Sequence, residues 1–299
     1  MHSKELDQAR EPAIWFRRHP GQGSMGKLGG LPTLPFGTDW PRHPESGEPL
    51  HFLAQVDLAR LPPTPLAGAR MASPLPKAGL LFFFADMVEE MLWSGHGGPF
   101  ANTRVIFSER AGPERAPPEG TPELGHALGQ KGSDYANGSG RTSFNQGSIE
   151  PYVIETFAGI DPFPDQSDAY AAAAQAALVA SIERATGAAL PVVNGAEKTA
   201  AMTSAQALEY VRLQQFRDGT VHRALECPRH QMLGVGKNLQ GTAEEHYADG
   251  LVLLLQIDSD KAVDHDFVFC DMGAAQFWIK PDDLAAGRFD RAWGTTEGA

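Results

Sequence analysis

The sequence predicts a mainly β fold, α+β by generous counting, built from two related halves with peripheral helices. Three observations carry that expectation. The phrase Phe52-Leu53-Ala54-Gln55-Val56-Asp57 returns later as Leu253-Leu254-Leu255-Gln256-Ile257-Asp258. Each copy is followed by a glycine that opens an apolar, aromatic run, Gly79-Leu80-Leu81-Phe82-Phe83-Phe84 and Gly273-Ala274-Ala275-Gln276-Phe277-Trp278. Recurrence of both parts in the same order points to two similar strand pairs about an approximate two-fold. Prolines also crowd into residues 32–76 and 113–122, too often for long helices.

Taken in order, Ala13-Ile14-Trp15-Phe16 reads as a strand, and Leu31 to Gly37 as a turn-rich approach. Residues 51–57 and 80–85 read as buried strands, and Arg104-Val105-Ile106-Phe107 as another. Residues 129–148 are dominated by Gly, Ser and Asn, a composition too poor in apolar surface to order itself alone. Tyr152 to Phe157 forms the next strand. Asp165-Gln166-Ser167-Asp168 then offers an N-cap to an Ala-rich helix ending near Gly187. A second helix is expected over 204–217, with Ala207, Tyr210, Val211 and Gln214 on one face, and a short one at Pro281-Asp282-Asp283-Leu284. The expected organisation is one domain over 1–299, with a first half at about 12–128, a connector at about 129–150 and a second half at about 151–293.

Composition narrows the function classes. With 42% hydrophobic residues the chain can bury a substantial core without disulfide staples. Cys227 and Cys270 are too sparse for a secreted scaffold, the charged amino terminus lacks a signal-peptide core, and no apolar run is long enough to span a bilayer, so a cytoplasmic location is expected. The net charge of −12 disfavours nucleic acid and anionic lipid, and attracts a basic protein partner.

The motifs that suggest chemistry do not hold together. Gly21-Gln22-Gly23-Ser24-Met25-Gly26-Lys27-Leu28 satisfies a phosphate-loop pattern except at its end, where Leu28 replaces the hydroxyl residue and Gly29, Gly30 and Pro32 oppose a helix. His222, Cys227 and His230 lack a fourth zinc ligand nearby, which only folding could bring from His246 or Asp249, and a surface histidine pair flanking a buried cysteine is the commoner arrangement. The run from Asp258 to Asp266 fails as a calcium loop, with Val263 where glycine is required, and reads as a solvated connection. No nucleophile elbow and no Cys beside His occurs; catalytic residues, cofactor and metal are therefore assigned as none. Gln55 and Gln256 each interrupt an apolar strand and must be hydrogen-bonded, as structural ties or as ligand groups in a shared cleft. The favoured reading is structural. Phe82, Phe83, Phe84, Trp93, Phe277 and Trp278 are expected to be core.

A larger pattern joins these pieces. Lys27-Leu28-Gly29-Gly30-Leu31-Pro32, Trp40-Pro41, Phe52 to Asp57 and Gly79 to Phe83, followed by His230-Gln231-Met232-Leu233-Gly234, Leu254 to Asp258 and Gly273 to Ile279, resemble the YwqG-like family, also called the DUF1963 domain. The resemblance extends over residues 12–293. It implies a mainly β single domain with peripheral helices and brings no catalytic residues. Members are thought to lie near genes for secreted bacterial toxins, so it also suggests immunity-type binding. This chain departs at Asp271-Met272-Gly273, where the family pattern has a tryptophan and an acidic-glycine turn. Gln55, Asp57, His230, Gln231, Gln256 and Asp258 are the candidate structural or cleft residues. The leading expectation is a non-enzymatic binding protein whose partner is a basic toxin; the competing one is an enzyme or small-molecule binder with a cleft between the halves.

Overall fold

A computed structural model describes residues 3–19, 26–62, 75–87, 102–124, 140–158, 169–187, 229–261, 263–270 and 273–298. The fold is mainly β, as predicted. Among the described residues, α1 (Ser3–Ala9) leads into strands β1 (Arg10–His19), β2 (Gly26–Leu28), β3 (His51–Asp57), β4 (Leu80–Ala85), β5 (Thr103–Ser108) and β6 (Gly147–Phe157). Helix α2 (Ala169–Thr186), β7 (His230–Met232), α3 (Thr242–Ala248), β8 (Val252–Asp258), β9 (Ala274–Ile279), α4 (Pro281–Ala285) and β10 (Trp293–Glu297) follow. The strands form one antiparallel sheet in the order β10-β9-β8-β7-β1-β6-β2-β3-β4-β5. Its two edges approach each other where the Gly294 N–H donates to Thr103 Oγ1 at 2.8 Å, so the sheet is a nearly closed barrel.

Chain order and spatial order interlock. Strand β1 lies beside β7 of the second half, and β6 lies beside β2 of the first, with β1 and β6 paired over ten residues at the centre. Strand β6 starts at Gly147, inside the expected connector, because Gly147, Ile149 and Pro151 alternate into buried positions. The sequence reading missed β2, β7 and β10, each too short to show a period.

The two recurring phrases occupy matching places. Register shifts by one residue between Phe52 and Ala54 opposite β4, and likewise between Leu253 and Leu255 opposite β9. The Leu58 N–H donates to Gly79 O at 2.9 Å, and the Ser259 N–H to Gly273 O at 2.9 Å. Two successive left-handed residues close each short strand: Gly29 and Gly30 after β2, Leu233 and Gly234 after β7. Glycine avoids the Cβ penalty there, whereas Leu233 bears it at φ 61°.

Alternation along these strands sorts the core. Leu53, Phe83, Leu255 and Phe277 face the interior, where the Phe83 and Phe277 rings meet edge to face at 5.0 Å. The outer faces are covered separately: Leu34, Trp40 and Leu50 shield Phe52, Phe82 and Phe84, and Ala243 with Tyr247 shields Leu253 and Trp278. Helix α2 lays Ala174, Leu178 and Ile182 over Ala13, Trp15 and Ile154 on β1 and β6, as a peripheral helix should. All described members of the predicted aromatic cluster are buried. Trp93, the 165–168 cap, the 204–217 helix, Gly21 to Met25, His222, Cys227 and Asp271-Met272 lie outside the described residues.

Candidate functional site

Strands β7, β8 and β9 set three glutamines side by side: Gln231 opposite Gln256, and Gln256 opposite Gln276. The same row in the other half reads Lys27, Gln55, Phe82. All three glutamines are fully buried on the outer face, under residues 233–238. Gln231 Nε2 donates to Leu233 O at 2.9 Å and Val235 O at 3.1 Å. Gln256 Oε1 accepts from Lys237 N at 2.7 Å and from Gln276 Nε2 at 3.0 Å, while Gln276 Nε2 also donates to Lys237 O at 2.7 Å. The row thus clamps one stretch of backbone that would otherwise be buried without partners. In the first half Gln55 Oε1 does the same work alone, accepting from the Thr33 N–H and hydroxyl, each at 3.0 Å.

Next to this row stands a buried charge cluster. Gln256 Nε2 donates to Arg229 O at 2.8 Å and to Asp258 Oδ1 at 3.1 Å; Asp258 Oδ2 accepts from Lys237 Nζ and from Arg229 N, both at 2.5 Å. His230 points to the opposite face. Its Nδ1 accepts from Asp258 N at 3.2 Å, which assigns the proton to Nε2, directed at Asp260 Oδ2 at 3.3 Å. Arg18 Nε lies 3.3 Å from the same carboxylate. With both ring nitrogens engaged, His230 has no lone pair for a metal. Asp57, which matches Asp258 in sequence, is half-exposed, caps the 3-10 turn Leu58–Arg60 through Ala59 N at 3.0 Å and pairs with Arg60 Nε at 3.4 Å.

The acidic run was expected to be solvated, and the structure corrects this. Asp258, Ser259, Asp260 and Asp264 are all buried. Asp264 forms a two-pronged pair with Arg141 at 2.7 and 2.8 Å and accepts from Asn145 N and Asp266 N, so the run ties the sheet to the 140–146 segment. No set of three or more metal-ligating side chains occurs among the described residues. Cys270 carries a free thiol, and Lys27 sits on β2 with its ammonium on Glu114 at 2.8 Å, not on a helix amino terminus that could hold phosphate.

Burial alone would raise the Asp264 carboxyl, but Arg141 and the two backbone N–H groups bring it down to about 2. An unfolded aspartate titrates near 3.9, so this stabilisation is complete above about pH 4 and is lost as pH falls toward 2. Asp264→Asn is expected to lower stability by about 1–2 kcal/mol at pH 7, with the half-exposed Arg141 discounted, and to flatten the acid limb of a denaturation profile between about pH 4 and 2. An unchanged acid limb would show that Asp264 is not its source.

A groove of ≈510 Å³ lies elsewhere, between α1, β1, β6 and α2, lined by Leu6, Asp7, Arg10, Glu155, Phe157, Ala177 and Arg184. Its arginines are already paired: Arg10 with Asp7 and Glu155, Arg184 with Glu155. It contains none of Gln55, Gln256 or His230. The structure therefore brings Gln231, Gln256, Asp258 and His230 together and leaves Gln55 and Asp57 in the other half. Sequence reading missed Lys237, Asp260 and Gln276. One signal was present: Lys237 follows Gln231 at the interval by which Thr33 follows Lys27, and both supply the N–H that the strand glutamine accepts.

Residues 26–297 match the family model described as Domain of unknown function (DUF1963). The chain belongs to the DUF1963 family. The match spans both halves, and within it this DUF1963 chain places Lys27-Leu28-Gly29-Gly30 and Gln231-Met232-Leu233-Gly234 at corresponding strand ends. No curated protein matches the chain. Among the described residues of this DUF1963 protein, no helix is long and apolar enough to cross a membrane.

Proposed function

We propose that this DUF1963 protein is a non-enzymatic cytoplasmic binding protein, an immunity protein that neutralises a basic secreted toxin by covering it with acidic surface. One observation carries the reading: both N–H bonds of Gln231, Gln256 and Gln276, both nitrogens of His230 and the Asp258 carboxylate are engaged with the chain's own groups. Side chains so engaged hold a scaffold rigid and are not poised to act on a substrate. The matching bonds of the two strand pairs favour an internally duplicated scaffold, and the net charge of −12 suits a basic partner.

The test is co-expression with each toxin encoded beside the gene, scored by growth and by isolation of a complex. Rescue by one toxin's cognate pairing, with an association rate that falls as salt rises, is the expected result. No rescue and no complex with any of them would sink the proposal.

A further inference from the structure

Phe36 is 88% exposed, the large hydrophobic side chain that the described surface leaves in water. It stands at the tip of the turn Pro35-Phe36-Gly37-Thr38, closed by Thr38 N donating to Pro35 O at 3.2 Å, with Gly37 at φ 83°. This turn is held from below. Arg115 Nη1 donates to Thr38 O at 2.6 Å, Gly112 N to Thr33 O at 2.8 Å and Arg115 N to Pro32 O at 3.0 Å. Gly112 packs so tightly that a Cβ there would sit 2.2 Å from Leu34 O, and buried Leu34 and Trp40 anchor the chain on either side.

The fold does not need an aromatic ring at this point. The second half shares two marks of this segment: Lys237 N donates to Gln256 as Thr33 N does to Gln55, and four residues later Gly241 at φ 91° stands where Gly37 does. There the position before the glycine is an exposed polar residue, Gln240. A rigidly mounted, solvent-facing Phe has already lost the conformational freedom that binding would otherwise remove, which is the property of an interface anchor.

The surroundings select the occupant. Residues 33–50 and 108–124 together carry seven carboxylates, Asp39, Glu45, Glu48, Glu109, Glu114, Glu119 and Glu123, against three arginines, and one of the seven, Glu114, is paired with Lys27 of β2. All seven are exposed, and Arg115 is turned inward onto Thr38. We infer that the Phe36 turn is the contact element for a protein partner presenting an apolar pocket rimmed by lysine or arginine. This deepens, and rests on, the reading of the chain as a binder of a basic toxin.

The experiment uses the full chain, Phe36→Ala, and Asp39→Asn combined with Glu109→Gln, against the neighbouring toxins. Since Phe36 is almost wholly exposed, Phe36→Ala should keep the wild-type melting temperature while weakening toxin binding at least ~30-fold and abolishing rescue. The charge variant should slow association several-fold and flatten its salt dependence. If wild type rescues and Phe36→Ala binds within ~3-fold of it, the contact assignment falls while the functional reading stands. If wild type binds none of the toxins, both fall. A wild-type dimer in sedimentation that Phe36→Ala converts to monomer would mean that a second copy covers Phe36, which also overturns the assignment.

Discussion

Gln256→Leu is expected to destabilise the protein by about 3–5 kcal/mol, whereas Gln55→Leu should cost about 1–2 kcal/mol. The two residues occupy matching strand positions, so propensity and apolar gain are the same for both; what differs is the number of groups each satisfies. Gln256 serves Lys237 N, Gln276 Nε2 and Asp258 in a buried setting and Arg229 O in a part-buried one. Leucine would leave each of them facing a methyl group. Gln55 serves only the Thr33 N–H and hydroxyl, at a part-buried site where water can substitute. Urea denaturation of the two variants measures the difference, and equal midpoints would refute the claim that the β7-β8-β9 row is a coupled network.

Glu297→Ala should have an effect of similar size, about 3–4 kcal/mol, because one fully buried carboxylate holds three backbone donors. Its Oε2 accepts from Leu239 N at 2.8 Å and Gln240 N at 2.7 Å, and its Oε1 from Ala243 N at 2.9 Å. Helix α3 begins here with Gly241 as a cap that has no side chain to offer, so Glu297 on β10 supplies the cap from a distant part of the chain. Glu297→Gln retains a single acceptor oxygen and should lose roughly half as much. Hydrogen exchange offers the local readout: the Ala243 amide should lose protection before those of β8. Retained protection at Ala243 in Glu297→Ala would mean that the cap is supplied otherwise.

How much of this was legible in advance can be traced to particular residues. The strands at 51–57 and 80–85 were read correctly because runs such as Leu81-Phe82-Phe83-Phe84 are apolar on both faces, and both faces are in fact covered. The short strand Gly26–Leu28 looked like part of a nucleotide loop, since three residues carry no period and only pairing with β3 and β6 makes them a strand. Gln55 and Gln256 were recognised as hydrogen-bonded residues, but nothing local distinguished the solitary tie from the member of a row. The acidic run misled for a related reason. Aspartates in a loop suggest water, and the cations that allow Asp258, Asp260 and Asp264 to be buried come from Lys237, Arg18 and Arg141, remote in the chain.

The sequence by itself determined that this chain folds mainly as β strands and that it is acidic. Those properties follow from composition and from side-chain alternation over a few residues, which are local quantities. Only the tertiary structure decided that β1 crosses to β7 and β6 to β2, that Asp258 is buried while Asp57 caps an exposed turn, and that Phe36 faces water. Each of those outcomes depends on which distant backbone and which distant charge arrives beside a residue, and no local pattern encodes that meeting.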